Sequence, residues 1–95
     1  MAIKVTNSSS FTDIEVCINK WGDTGDTSYS IITKGTTETW DRTDERGFVM
    51  GIKQQSNEKQ YYVMKGYDYV IEDEGGSFKV KNETTHREVK PVEHY

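Results

Sequence analysis

Apolar and polar residues alternate along this chain with a period of two, and the alternation restarts after each cluster of Gly, Asn, Ser, Thr and Asp. Successive side chains of a strand point to opposite faces, so the pattern predicts strands with one buried and one wet face. Ile14-Glu15-Val16-Cys17-Ile18-Asn19 is the clearest case, and Phe48-Val49-Met50-Gly51-Ile52-Lys53 repeats it. The spacing predicts strands at about 3–6, 14–20, 28–33, 36–42, 47–53, 60–64, 67–72 and 77–81. Lys65-Gly66 reads as a hairpin link between the sixth and seventh, and Asp73–Gly76 as the next turn. Residues 54–59 and the charged run Thr43–Arg46 read as connections, and no helix of three turns can be drawn. Residues 82–95 form a polar tail with room for one more edge strand around Arg87–Val92, where Pro91 suits an edge.

The expected fold is therefore all-β: a small, all-antiparallel β-sandwich of about eight strands, in a single domain over residues 1–95. Size agrees, because 95 residues make one domain. Hydrophobic content is only 33% but aromatics reach 12%, so a few large rings must supply much of a thin interior. On the odd-numbered face, Tyr61 and Val63 are expected to pack beside Tyr67, Tyr69 and Ile71. The net charge of −4 comes with 12 scattered basic residues, which argues against a nucleic-acid partner. Met1–Val5 runs straight into a strand pattern, so no leader is read and a cytoplasmic, soluble protein is expected.

Candidate chemistry is sparse. The lone cysteine, Cys17, gives no disulfide framework and reads as a small, partly buried residue on the face opposite Ile14, Val16 and Ile18. Asp23-Thr24-Gly25 spells an aspartic-protease tripeptide, but no apolar strand end precedes it. Asp23 and Asp26 offer two carboxylates without the closing Glu of a calcium loop, so a solvated turn is expected. His86 and His94 lack the convergent partners zinc needs. Asn7-Ser8-Ser9 and Asn82-Glu83-Thr84 match the glycosylation sequon, which arises readily in a chain rich in Ser and Thr. No enzyme, metal or cofactor is expected.

The aromatic set remains. Tyr61-Tyr62 and Tyr67-Asp68-Tyr69 put four tyrosines and a carboxylate on two strands read as adjoining. Tyr62 faces away from Tyr61, so one of the pair is expected at the surface. An exposed ring beside a carboxylate suits a sugar, whose CH groups stack while its hydroxyls bond; it also suits a quaternary ammonium head group. Trp21 is a second platform. The expected ligand site is Trp21, Tyr62, Tyr67 and Asp68.

The order of motifs from Ile3-Lys4-Val5-Thr6-Asn7-Ser8-Ser9 and Ile14-Glu15-Val16 through Lys34-Gly35, Gly47–Lys53, Tyr61–Met64 and Tyr67-Asp68-Tyr69 to Phe78-Lys79-Val80 resembles the actinoporin-like β-sandwiches. That family includes fungal fruit-body lectins and is broadly similar in shape to small aegerolysin-type lipid binders. The resemblance implies recognition of glycans or phospholipid head groups, with Tyr67-Asp68-Tyr69 at the head-group pocket. The chain lacks an amphipathic N-terminal segment, carries Met64-Lys65-Gly66 where the family has Ser-x-Pro, and has Glu74-Gly75-Gly76 in place of paired tryptophans. Pore formation is therefore not expected. The reading is a non-enzymatic binding module, lectin-like in preference to lipid-binding and peripheral where it meets a membrane. A shallow site implies a homo-oligomer for avidity; the alternative is a structural protein that polymerises through edge strands.

Overall fold

The alternating segments form strands that lie in two facing sheets. The computed structural model describes residues 2–19, 29–42, 45, 47–55 and 57–92. Among these the elements are β1 (Ala2–Asn7), β2 (Asp13–Ile18), β3 (Ser30–Thr33), β4 (Thr37–Asp41), β5 (Phe48–Gln54), β6 (Asn57–Val63), β7 (Asp68–Glu74), β8 (Ser77–Asn82) and β9 (Arg87–Val89). A five-stranded sheet has the order β4-β1-β7-β8-β9, and a four-stranded sheet the order β3-β2-β5-β6. The all-β sandwich is thus as expected, and the extra strand falls in the tail. Among the described residues no helix is long and apolar enough to cross a membrane.

The period-two pattern fills the interior. Ile3 and Val5 of β1, Trp40 of β4, Tyr69 and Ile71 of β7, and Phe78 and Val80 of β8 face Ile14, Val16 and Ile18 of β2, Ile32 of β3, Phe48, Met50 and Ile52 of β5, and Tyr61 and Val63 of β6. Phe11, Tyr67 and Val89 pack against this cluster from its rim. Tyr61, Val63, Tyr67, Tyr69 and Ile71 do meet, as the sequence predicts, but from opposite layers.

That difference corrects the expected hairpin. Lys65-Gly66 does not pair β6 with β7; it carries the chain from the four-stranded to the five-stranded sheet. Gly66 takes a positive φ of 82°, which suits a tight hairpin and a tight crossover equally. The Met64 N–H donates to the Tyr69 hydroxyl at 3.0 Å, fastening the crossover. A second departure is the pairing of β1 with β7, which is parallel, while every other strand pair is antiparallel. A third is at 54–59: β5 and β6 continue through this polar stretch, with Gln54 opposite Asn57, so the connection is two residues long. Polar side chains take inward positions here too, Gln54 buried and Lys59 half-buried, so alternation in hydropathy is lost although the strand persists.

Four tethers join the two sheets at the margins of the sandwich. Asn7 is fully buried where β1 leaves its sheet. Its Nδ2 donates to the Phe11 and Ile32 carbonyls, both at 3.0 Å, and its Oδ1 accepts from Ser9 N–H and Oγ. On the other side, Lys59 Nζ donates to the Phe78 carbonyl at 2.9 Å and lies 4.9 Å from the Phe78 ring centroid. Pro91 bridges to Tyr61 and the Val92 N–H donates to the Gln60 carbonyl, so the tail crosses from the β9 edge to the β6 edge. Arg42, also buried, donates to the carbonyls of Ile18 and Asn19 and so holds the end of β2 to that of β4.

Two outcomes are expected. Asn7→Ala strips partners from buried groups and should cost about 1–3 kcal/mol in urea unfolding, whereas Asn82→Ala on the half-buried β8 end costs less. Burial pushes the Tyr61 phenol up from its ordinary value of 10 to about 12, and burial raises that of Tyr69 too, partly offset by the Met64 N–H. A raised tyrosine pKa leaves stability intact below the unfolded value and removes it as pH climbs to the folded one. Unfolding midpoints should therefore hold up to about pH 10 and fall between about 10 and 12, and Tyr61→Phe should flatten the fall.

Candidate functional site on the outer face of the four-stranded sheet

Of the four expected site residues, the three that are described, Tyr62, Tyr67 and Asp68, stand on different surfaces. Trp21 lies outside the described residues, as do the Asp23–Asp26 segment and His94. Tyr62 stands on the outer face of the four-stranded sheet, 54% exposed, opposite Val49. Its ring leans over Gly47, where an added Cβ would come within 2.8 Å of it. Tyr67 is half-buried at the crossover, lining a hollow of about 530 Å³ with Glu45, Met64, Lys65 and Gly66. Asp68 is exposed on β7 of the other sheet, where its N–H donates to Thr84 Oγ1 at 3.1 Å. The expectation that they share one surface rested on the misplaced hairpin. Lys65 and Glu45 near Tyr67 face one another at 3.6 Å, an exposed pair of small energetic weight.

A better-formed arrangement lies around Gly51. Register places Cys17 of β2, Gly51 of β5 and Gln60 of β6 side by side across the outer face. Gly51 leaves a gap in that row. Tyr29, just before β3, spreads over it: a Cβ on Gly51 would fall 3.2 Å from the Tyr29 hydroxyl and 3.1 Å from Cys17 Sγ. The Tyr29 hydroxyl donates to Glu58 Oε2 of β6 at 2.9 Å, which ties the ring across the sheet. Lys53 Nζ lies 5.9 Å from the ring centroid, in cation–π range. Desolvation first, then the Glu58 hydrogen bond and the adjacent Cys17, hold the Tyr29 phenol well above its ordinary range. It is a neutral hydroxyl throughout the physiological range.

Beside this ring is a hollow of about 190 Å³ lined by Cys17, Asn19, Tyr29, Val49, Gly51 and Gln60. Asn19 Oδ1 accepts the Val49 N–H at 2.7 Å, which fixes the carboxamide and leaves its NH2 group as the remaining polar end. Gln60 supplies a second carboxamide at the far rim. Tyr62 does not line the hollow but stands next to Val49 as a further exposed ring. The chemistry is an aromatic wall, an apolar floor and two amides. It offers no nucleophile–base pair, and among the described residues no group of three or more His, Cys, Asp or Glu side chains is placed to hold a metal ion.

Sequence reasoning missed Tyr29, Gly51, Asn19 and Gln60. One signal was present: a glycine inside the strongly alternating strand Phe48–Lys53 marks a place where something else approaches the sheet. Compared with protein-family models, curated proteins and solved structures, the chain matches none.

Because Cys17 is half-buried beneath the Tyr29 hydroxyl, a small thiol reagent should label it in the folded protein. Tyr29→Ala should raise that rate several-fold, read by mass spectrometry, without loss of the β-sheet circular dichroism signal.

Proposed function

We propose that this protein is a non-enzymatic binding module that takes a single sugar ring in the hollow beside Tyr29. The observation that carries the reading is the Tyr29 ring, held over the Gly51 gap by its bond to Glu58. A fixed ring with an open face stacks on the CH side of a pyranose without losing rotamer freedom on binding. Asn19 and Gln60 line the same hollow, and their amides offer donors and acceptors of the kind sugar hydroxyls take. At about 190 Å³ the hollow is below the ~300–1,000 Å³ of drug-sized pockets, so it fits one ring and not a chain. The resemblance of the motif order to the actinoporin-like sandwiches and their lectin members supports the same class of ligand.

The protein should therefore bind a subset of glycans on an array and in titration with the free monosaccharide. Gly51→Ala, which pushes a methyl group against the Tyr29 hydroxyl, and Tyr29→Ala should each weaken binding about tenfold or more, ~1.4 kcal/mol. Tyr67→Ala and Asp68→Ala should leave it unchanged. Binding only to phosphocholine vesicles would replace the sugar with a head group at the same ring, and binding lost in Tyr67→Ala but kept in Tyr29→Ala would move the site to the crossover.

A further inference from the structure

The edges of the two sheets differ in how they are closed. β4 carries Glu38 and Asp41, β9 carries Arg87 and Glu88, and the β6 edge is met by Pro91 and Val92. Charges, proline and covering segments are the usual means of keeping a strand edge from pairing. Among the described residues β3, with the sequence Ser-Ile-Ile-Thr, has no charge or proline and no strand on its outer side, and it pairs only with β2. Only its last outward carbonyl, that of Thr33, is taken, by the N–H and hydroxyl of Thr36. Ile31 on its outer face is 59% exposed, more than any other large hydrophobic among the described residues.

The ladder fixes which backbone groups face outward. The Lys34 N–H donates to the Thr12 carbonyl, one step beyond the Asp13–Thr33 pair. Hydrogen-bonded and non-hydrogen-bonded pairs alternate in an antiparallel ladder. The pairs Ile14–Ile32 and Val16–Ser30 are therefore the bonded ones, and the N–H and C=O of Ile31 point away from β2. The same phase follows on the other side of β2, where the Asn19 N–H donates to the Val49 carbonyl.

We infer that β3 pairs with β3 of a second copy about a two-fold axis through Ile31. In that register each Ile31 N–H donates to the Ile31 carbonyl of the other copy, and the two exposed side chains lie against each other. Antiparallel partners point their side chains to the same face, so a shift by one residue would set wet side chains against the interior. Among the registers that keep the faces, Ile31 opposite Ile31 is the one that covers both exposed apolar side chains. Tyr29 then faces Thr33 of the second copy. Two four-stranded sheets become one eight-stranded sheet with both Gly51 hollows on the same side. The bivalent display this gives rests on the sugar-binding reading above; the pairing itself does not. A contact of one short strand falls below the ~1,200 Å² of stable interfaces, so the dimer is weak and concentration-dependent.

Sedimentation equilibrium of the full chain should show a reversible monomer–dimer equilibrium between about 10 μM and 1 mM. Ile31→Glu, which opposes like charges, and Ile31→Pro, which removes an outward N–H without breaking the β2 ladder, should each weaken it at least about tenfold. In a Cys17→Ser background, Ile31→Cys should oxidise to a covalent dimer, since bonded antiparallel pairs have Cα atoms about 5.5 Å apart, within disulfide reach; Val92→Cys should not. A chain monomeric at about 1 mM, or a dimer indifferent to both Ile31→Glu and Ile31→Pro, would overturn the inference. Titrating monosaccharide against the Ile31→Glu protein scores sugar binding separately, so either reading can fail alone.

Discussion

The structure turns on the buried carboxamide of Asn7. A strand that leaves one sheet to enter the facing one must carry its backbone groups through the interior's edge, where each needs a partner. Asn7 meets this need at one point. Its side chain holds the outgoing segment through Ser9 and Phe11 and reaches β3 through Ile32. Its backbone N–H donates to the Thr36 carbonyl and its carbonyl accepts the Gly35 N–H. One residue thus ties β1, the 8–12 segment, β3 and the β3–β4 crossover. Because Ile32 is the inward neighbour of Ile31, this tie also fixes the height at which β3 lies on β2, and with it the position of Tyr29 over the sheet.

The opposite side is closed by different means. Lys59 crosses the interior edge to the Phe78 carbonyl, and residues 91–92 pass from one sheet to the other over β6. The lysine stem packs on the Phe78 ring while its ammonium finds the carbonyl, a geometry that a straight-chain cation allows and an aliphatic residue would not. The sandwich is therefore closed along β6 and β9 by a tail, and along β3 and β4 by Asn7 at one end and Arg42 at the other. That asymmetry leaves β3 as the uncharged edge.

What could be read from the sequence, and what could not, follows from the same physics. The strand at Ile14–Ile18 was legible because each of its inward positions is aliphatic. The opposition of Tyr61 and Tyr62 was legible because period two admits no alternative: one is 1% exposed and the other 54%. The partner of each strand was not legible. Gly66 supports a hairpin or a crossover with the same backbone, and long-range contacts select the second: the Tyr69 hydroxyl on the Met64 N–H, the Gly66 N–H on the Ala2 carbonyl and the ladder of β7 on β1. Asn7 read as the first residue of the polar run Asn7–Ser10 that ends the first strand, since a buried amide and a solvated one are the same letter. The candidate site depended on these pairings, so Tyr67 and Asp68 were grouped with Tyr62 by a hairpin that does not exist, while Tyr29 and Gly51, 22 positions apart in sequence, meet only through the β2–β5 ladder.

The distribution of rings explains why the outer face of the four-stranded sheet carries chemistry. Trp40, Phe48, Tyr61, Tyr69 and Phe78 are buried, and Phe11 and Tyr67 close the rim. The remaining described rings, Tyr29 and Tyr62, are left outside on one face. Each is settled by a glycine: Tyr29 over Gly51 and Tyr62 over Gly47. A tyrosine whose phenol end rests where a side chain would otherwise stand packs against the glycine backbone, which reduces its exposed apolar area and restricts its orientation at once. The five-stranded sheet has no such pair among its described outer positions, where Lys4, Asp68, Glu72 and Lys79 alternate in sign across β1, β7 and β8. Stability alone would be served by charges on both faces. The outer face of the four-stranded sheet carries charges as well, at Glu15, Lys53 and Glu58, and seats its two rings among them against Gly51 and Gly47; the proposed binding of a sugar ring draws on those two seats.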